Sequence, residues 1–424
     1  MQSPDIRLVA FFLPQFHPIP ENDLWWGKGF TEWTNVVKAR PLFNGHYQPQ
    51  LPADLGFYDL RLRATRHSQI RMAKAHGVDA FCYHYYWFSG TRLLHEPLDD
   101  MLADPESDMP FCLCWANENW TRSWDGSEQR VLIEQRHLPD DDVTFTDSIL
   151  PFLRDRRYLK IDGAPLLIVY QPQALRDSKK TLQTWRERCR GAGLAKLHLA
   201  AAMTHENWDF QRYGFDSGVE FPPHNIGRPA LKEPVDFIAP FLGRMWSYED
   251  VAESFLQRSY GPGRDVFRTV FPSWDNTARR GSRATIILNS TPENYEYWLC
   301  EAIYRTRMEF PGRESLVFIN AWNEWAEGCH LEPDQAHGLA FLEATARAKA
   351  GRSTVSGFEP LQAAGRGANA RATLAQDLVR VFATHGSTWF HRAERSAASV
   401  VHDRVGHHQR LKLLLRRIYG AMRG

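Results

Sequence analysis

The sequence predicts an α/β protein built as a (β/α)8 barrel with long βα loops and a helical, basic C-terminal extension. Three observations predict it. Eight short apolar runs recur between Ile6 and Ala321. Helical patterns lie between most of them, which implies parallel strands joined by right-handed crossovers. Almost every run ends in polar and aromatic residues, as expected where barrel strands converge on an active face. A doubly wound open sheet is the rival, but no Gly-rich phosphate loop follows any run in the Rossmann manner.

The first run, Ile6–Leu13, ends in Pro14-Gln15-Phe16-His17. A long polar loop follows, carrying Trp26 and Tyr47 and turning at Gly27, Gly29 and Gly45. Its length points to function rather than connection. Leu60–His76 reads as a helix. The second run, Val78–Tyr85, leads into His84-Tyr85-Tyr86-Trp87, and the third, Phe111–Ala116, into Trp115-Ala116-Asn117-Glu118-Asn119-Trp120. Asp141–Asp155 reads as a helix, with Asp140-Asp141-Asp142 as cap and dipole-favoured acids rather than a metal site. Pro165–Tyr170 and the helix Ser178–Ala192 come next, then the runs Leu197–Met203 and Phe215–Phe221, the latter followed by Pro222, Pro223 and His224. Val266–Phe271 leads into Ser273-Trp274-Asp275-Asn276. The helix Pro292–Met308, the eighth run, Leu316–Ala321, and the helix His337–Lys349 close the pattern.

The eighth run ends in Ala321-Trp322-Asn323-Glu324-Trp325-Ala326-Glu327-Gly328. Two carboxylates among indoles and an amide suit sugar chemistry: one acid protonates a leaving oxygen, the other manages the nucleophile, and aromatic faces stack on the pyranose. Residues three apart point to opposite sides of a strand. Glu324 and Glu327 therefore share a site only if the chain turns after Glu324, and Gly328 suits such a turn. Both are the candidate catalytic residues. The candidates for substrate binding are Glu118, Trp115, Asn117, Trp120, His84, Tyr85, Tyr47, Trp26, Trp274, Asp275, Trp322, Asn323 and Trp325. Blander roles compete: His84 and Tyr85 as core polar groups, Asn117 and Glu118 as loop caps, Asp275-Asn276-Thr277 as turn chemistry.

Composition narrows the function classes. A net charge of +1 over 424 residues gives no electrostatic case for nucleic acid. The 6 cysteines are scattered, mostly in apolar runs, and read as buried small hydrophobes in a reducing compartment. No metal or cofactor motif is legible, since Cys112-Leu113-Cys114 lacks a zinc-type partner pair. The start has no basic signal region and no run is long enough to span a bilayer, so the cytoplasm is the expected location. The barrel should occupy residues 1–350, followed by a Gly- and Ala-rich linker, 351–369, and a basic helical tail, 370–424. The tail ends in His408-Gln409-Arg410-Leu411-Lys412-Leu413-Leu414-Leu415-Arg416-Arg417-Ile418-Tyr419. This amphipathic segment suits peripheral contact with anionic lipid at the inner membrane, or docking on the barrel.

These motifs, with Trp25-Trp26-Gly27-Lys28-Gly29-Phe30-Thr31-Glu32-Trp33-Thr34-Asn35-Val36 and Gly45-His46-Tyr47-Gln48-Pro49, carry a family resemblance over roughly residues 5–350. The chain resembles the WbsX-type proteins of bacterial surface-polysaccharide clusters, a group similar to glycoside hydrolase family 99. The resemblance implies a (β/α)8 barrel acting on an oligo- or polysaccharide of O-antigen type. By the shared Asn-Glu-Trp-x-Glu pattern it implies that Glu324 deprotonates the substrate's 2-hydroxyl and Glu327 is the general acid. That route retains anomeric configuration through a 1,2-anhydro sugar. Glycosyl transfer and non-catalytic glycan binding are the competing readings.

Overall fold

A computed structural model describes residues 6–122, 127–205, 208–231, 235–359 and 361. The eight apolar runs form eight parallel strands: β1 Ile6–Phe12, β2 Ala80–Phe88, β3 Phe111–Trp115, β4 Ala164–Val169, β5 His198–Met203, β6 Ser217–Glu220, β7 Val266–Val270 and β8 Ser315–Ile319. Each pairs with its neighbours in sequence. β1 pairs with both β2 and β8, with Val9 opposite Ala80 and Ile6 opposite Ser315. The sheet therefore closes into a barrel, leaving no edge among these eight strands. Its strands are buried on both faces, inside the barrel and under the helices, which is why they read as unbroken apolar runs.

The outer layer holds α1 Arg63–Ala75, α2 Glu96–Ala103, α3 Asp141–Leu153, α4 Ser178–Gly191, α5 Tyr248–Leu256, α6 Pro292–Glu309 and α7 Ala340–Lys349. Local chemistry sets their starts. Asp177 caps α4 by accepting from Lys180 N at 3.1 Å, and Thr291 caps α6 ahead of Pro292. Between β5 and β6 the crossover shrinks to a 3-10 turn, Phe210–Tyr213. It packs so close that a Cβ at Gly218 of β6 would lie 2.8 Å from the Phe210 ring.

Three small sheets decorate the C-terminal ends of the strands. One is a hairpin after β3, Trp120–Arg122 with Ser127–Ile133. Another unites Arg244–Ser247, Thr285–Leu288 and Trp274–Asp275. The third pairs Asn323–Glu324 with Cys329–His330. Past α7 the chain still packs on the barrel: Glu359 N donates to Asn294 Oδ1 at 2.7 Å, and Phe358 meets Tyr297 edge-on. The basic tail and the later part of the linker ahead of it lie outside the described residues. Among the described residues, no helix is long and apolar enough to cross a membrane.

Candidate active site

After β8 the chain is anchored at each step. Asn320 Nδ2 donates to Pro222 O at 2.8 Å, and Trp322 N donates to Phe11 O at 2.7 Å. The Asn323 amide clamps Leu13 of the first βα loop, accepting from its N–H at 2.8 Å and donating to its carbonyl at 3.0 Å. Trp325–Glu327 then forms a 3-10 turn, which brings residues three apart onto one side. Gly328 completes the turn at φ +56°, and a Cβ there would lie 2.8 Å from Asp275 O. The turn expected after Glu324 is present, and both carboxylates reach one cavity.

A single guanidinium joins them. Arg279, on the short helix Thr277–Arg280, contacts Glu324 Oε1 at 2.8 Å and Glu327 Oε1 at 3.1 Å. It also contacts Glu32 Oε2 at 3.2 Å and Gln15 Oε1 at 3.3 Å. Its side chain is only 11% exposed. The segment carrying it is held by Asp275, which accepts from Gln48 Nε2 at 2.7 Å and pairs with His46 Nε2 at 2.6 Å. His46 Nδ1 accepts from Leu42 N, so Nε2 carries the proton given to Asp275.

Burial pushes Glu324 well above the usual carboxylate range; Arg279 pulls it back, while Glu327 and Glu32 push it further. Burial raises Glu327 as well, again opposed by Arg279. In the same cavity, burial and then the charge of Glu327 push Glu118 up to about 7, and a 2.8 Å bond from Gln171 Nε2 partly offsets this. One guanidinium cannot balance this many buried carboxylates, so the cluster retains a proton near neutrality. Burial lowers His84 and His224 to about 4, which keeps both imidazoles neutral.

The cavity measures about 550 Å³ and opens to solvent. Glu324, Glu327, Glu118, His84, Trp26, Trp120 and Trp274 line it, so seven sequence candidates converge there. Tyr47 and Asp275 instead border a neighbouring cavity of about 190 Å³, which shares Trp274 with the first. Four aromatic candidates sit in the core. Trp115 stacks on Phe145, and Tyr85 reaches Ser148 of α3. Trp322 is fully buried near Phe81, and Trp325 donates to Glu332 Oε2 at 2.8 Å. The expectation that Trp322 and Trp325 bind substrate is thus corrected: Trp322 packs in the core, and Trp325 stacks on His330 while its N–H is taken by Glu332. Asn117 is also buried and braces the loop after β3, exchanging two hydrogen bonds with the Gln171 backbone. Asn323, as above, holds the first loop. Glu220 is buried too, accepting from Thr269 N at 3.1 Å and from the Tyr260 hydroxyl.

Sequence reasoning missed Arg279 and Glu32. It noted Gln15, Tyr86, Tyr170, His224 and Asn276 at strand ends without ranking them, and all five line the cavity. The visible signal for Arg279 was its place four residues after Asp275, in the segment following β7.

The site is thus a barrel cavity lined by three glutamates, one arginine and several tryptophans at the C-terminal ends of the strands. The family model "Glycosyltransferase WbsX" matches residues 8–345, and the chain belongs to that family. The uncharacterized protein WxcX of Xanthomonas campestris pv. campestris strain B100 is 46% identical over 344 residues, 80% of this chain and 49% of WxcX. Its counterpart in a second strain matches equally. The chain spans about half the length of these curated relatives. Among solved structures, the GH99 endo-α-mannosidase of Bacteroides thetaiotaomicron superposes with a TM-score of 0.51 at 13% identity, covering 82% of this chain and 98% of that one. A glycoside hydrolase-like protein superposes with a TM-score of 0.51 at 14% identity, covering 82% and 95%. Both likenesses are of fold.

Proposed function

We propose that this chain cleaves or transfers glycosidic bonds within a bacterial surface polysaccharide or its precursor, with retention of configuration. The observation that carries the reading is the Arg279 guanidinium shared by Glu324 and Glu327 on the wall of an open cavity. In the first step the Glu324 carboxylate takes the proton of the substrate's 2-hydroxyl as that oxygen attacks the anomeric carbon. The glycosidic C–O bond breaks, and Glu327 gives its proton to the leaving oxygen. In the second step Glu327, now ionised, takes a proton from water or an acceptor hydroxyl. That oxygen opens the 1,2-anhydro sugar at the anomeric carbon, and Glu324 returns its proton to the 2-oxygen. Two inversions give retention. In support, Arg279 touches both acids and opposes the rise that burial imposes on each; because that rise is the larger at Glu324, the route asks Arg279 to hold Glu324 ionised while Glu327 keeps the proton.

The family name supports a second reading, transfer from a nucleotide sugar. Against it, a diphosphate would face carboxylates, and Arg279, the Lys or Arg side chain lining the cavity among the described residues, already contacts three of them. Mass spectrometry of surface-glycan oligosaccharides incubated with the protein, with and without nucleotide sugars, separates the readings. Shortened or rearranged products without nucleotide sugar are expected, with rates about 10²–10⁴-fold lower for Glu324→Gln and for Glu327→Gln. Products lengthened only when a nucleotide sugar is present overturn the hydrolytic route.

A further inference from the structure

We infer that the glycan segment entering this cavity is uncharged, and that sugars bearing carboxylate or phosphate are rejected there. The inference rests on the carbohydrate reading above and names the substrate class within it.

The charge inventory carries it. Glu32, Glu118, Glu324 and Glu327 supply four carboxyl groups in and beneath the cavity wall. Arg279 answers three of them directly, at 3.2, 2.8 and 3.1 Å. The adjacent Arg280 is exposed and acts on Glu327 from outside the lining. Counting both arginines, carboxyl groups outnumber cations four to two, so even with a proton held in the cluster the cavity wall carries no surplus of positive charge for an acidic sugar. The cavity histidines do not redress this. His84 is wedged against Phe11 and Tyr86, and His224 accepts or donates to the Tyr170 hydroxyl at 2.9 Å while packing on Phe221. Both stay neutral.

Recognition of an acidic sugar needs a guanidinium or ammonium with donors to spare in a desolvated site. Here the lining arginine is committed to glutamates, and each further acidic group would add negative charge beside them. The rest of the wall suits neutral sugar faces. Trp26, Trp120, Trp246 and Trp274 offer flat rings, and Phe221 and Ile226 add apolar surface. Glu118 is the group most open to test. It lines the same cavity as Glu327, whose charge acts on it, and its bond from Gln171 survives replacement by glutamine.

The experiment measures binding of wild-type protein to neutral oligosaccharides from several bacterial surface glycans. The comparison set is the same molecules with their primary hydroxyls oxidised to carboxylates. Neutral ligands should bind, and their oxidised partners should bind more weakly by on the order of 100-fold, the scale of a like charge set against a desolvated site. Glu118→Gln, with unchanged thermal unfolding, should narrow that gap. Equal or tighter binding of the oxidised set overturns the inference while leaving a saccharide site in place. An unchanged gap in Glu118→Gln overturns the role of the carboxylates. Binding of neither set overturns the carbohydrate reading and this inference together.

Discussion

Arg279 decides how the two candidate catalytic acids divide their roles. Its positive charge favours ionised carboxylates, whereas burial favours protonated ones. Removing the charge in Arg279→Gln should raise both acids. Glu324 would then hold its proton to higher pH and fail as a base near neutrality. An opposite charge at contact distance lowers a carboxylate by about 1–3 pH units, so the acidic limb of the kcat/KM profile should move alkaline by that amount. Activity lost at neutral pH should return in part on raising the pH. A uniform loss across pH, with the limb unmoved, would make Arg279 only a structural tie. This residue was illegible in sequence for a physical reason. Asp275-Asn276-Thr277 reads as a turn, and an Arg pair after a turn is usually solvated. Only the packing of the 277–280 helix against the β1 and β8 loops, through Glu32 and the 325–327 turn, buries the guanidinium.

The hairpin after β8 is the element that presents the acids, and it stands on a buried carboxyl. Glu332 receives Tyr58 Oη at 2.7 Å and Trp325 Nε1 at 2.8 Å on one oxygen, and Gln69 Nε2 at 2.7 Å on the other. Burial nevertheless pushes it from 4.5 to about 7. The folded protein therefore holds this proton more tightly than the unfolded chain. Between those two pH values the folded state binds more protons, so stability falls as pH rises through the window, by about 3 kcal/mol for this group. Glu332→Gln should flatten the dependence of Tm on pH between 4.5 and 7 relative to wild type. It should also lower Tm by a few degrees at acid pH, because an amide N–H₂ meets a donor in a buried site at a cost of about 1–3 kcal/mol. Parallel Tm curves for the two proteins would show that Glu332 does not titrate in this range. The turn itself was legible, since two acids three apart followed by glycine allow one site only through a reversal. The placement of Trp322 and Trp325 was not, because composition marks an aromatic cluster without saying which rings face in. Among helices, α5 was passed over although Tyr248, Val251, Ala252, Phe255 and Leu256 recur at helical spacing, and α2 is only eight residues long.

At the scale of the whole molecule, the eight strands were legible because a closed parallel barrel buries both faces of each one. Seven scattered candidates met in one cavity because strand ends separated widely in sequence converge at that face. What the barrel does not account for is the basic C-terminal segment. Arg410, Lys412, Arg416 and Arg417 interleave with Leu411, Leu413, Leu414, Leu415 and Ile418. Apolar side chains beside four cations suit a surface of anionic headgroups, where each basic residue contributes about 1 kcal/mol and screening salt removes the gain. We expect the full chain to sediment with vesicles containing phosphatidylserine at low salt, and to stay in solution with purely zwitterionic vesicles. A chain ending at residue 361 should not sediment with either, yet should keep the thermal unfolding of the barrel, whose last described hydrogen bonds are made by Glu359. Replacing the four cations by glutamate should abolish sedimentation without changing oligosaccharide turnover. Sedimentation that persists in the shortened chain would move lipid contact onto the barrel, where Phe237, Ile238 and Leu242 are exposed on the segment between β6 and β7. Equal binding to both vesicle types would remove charge as its cause.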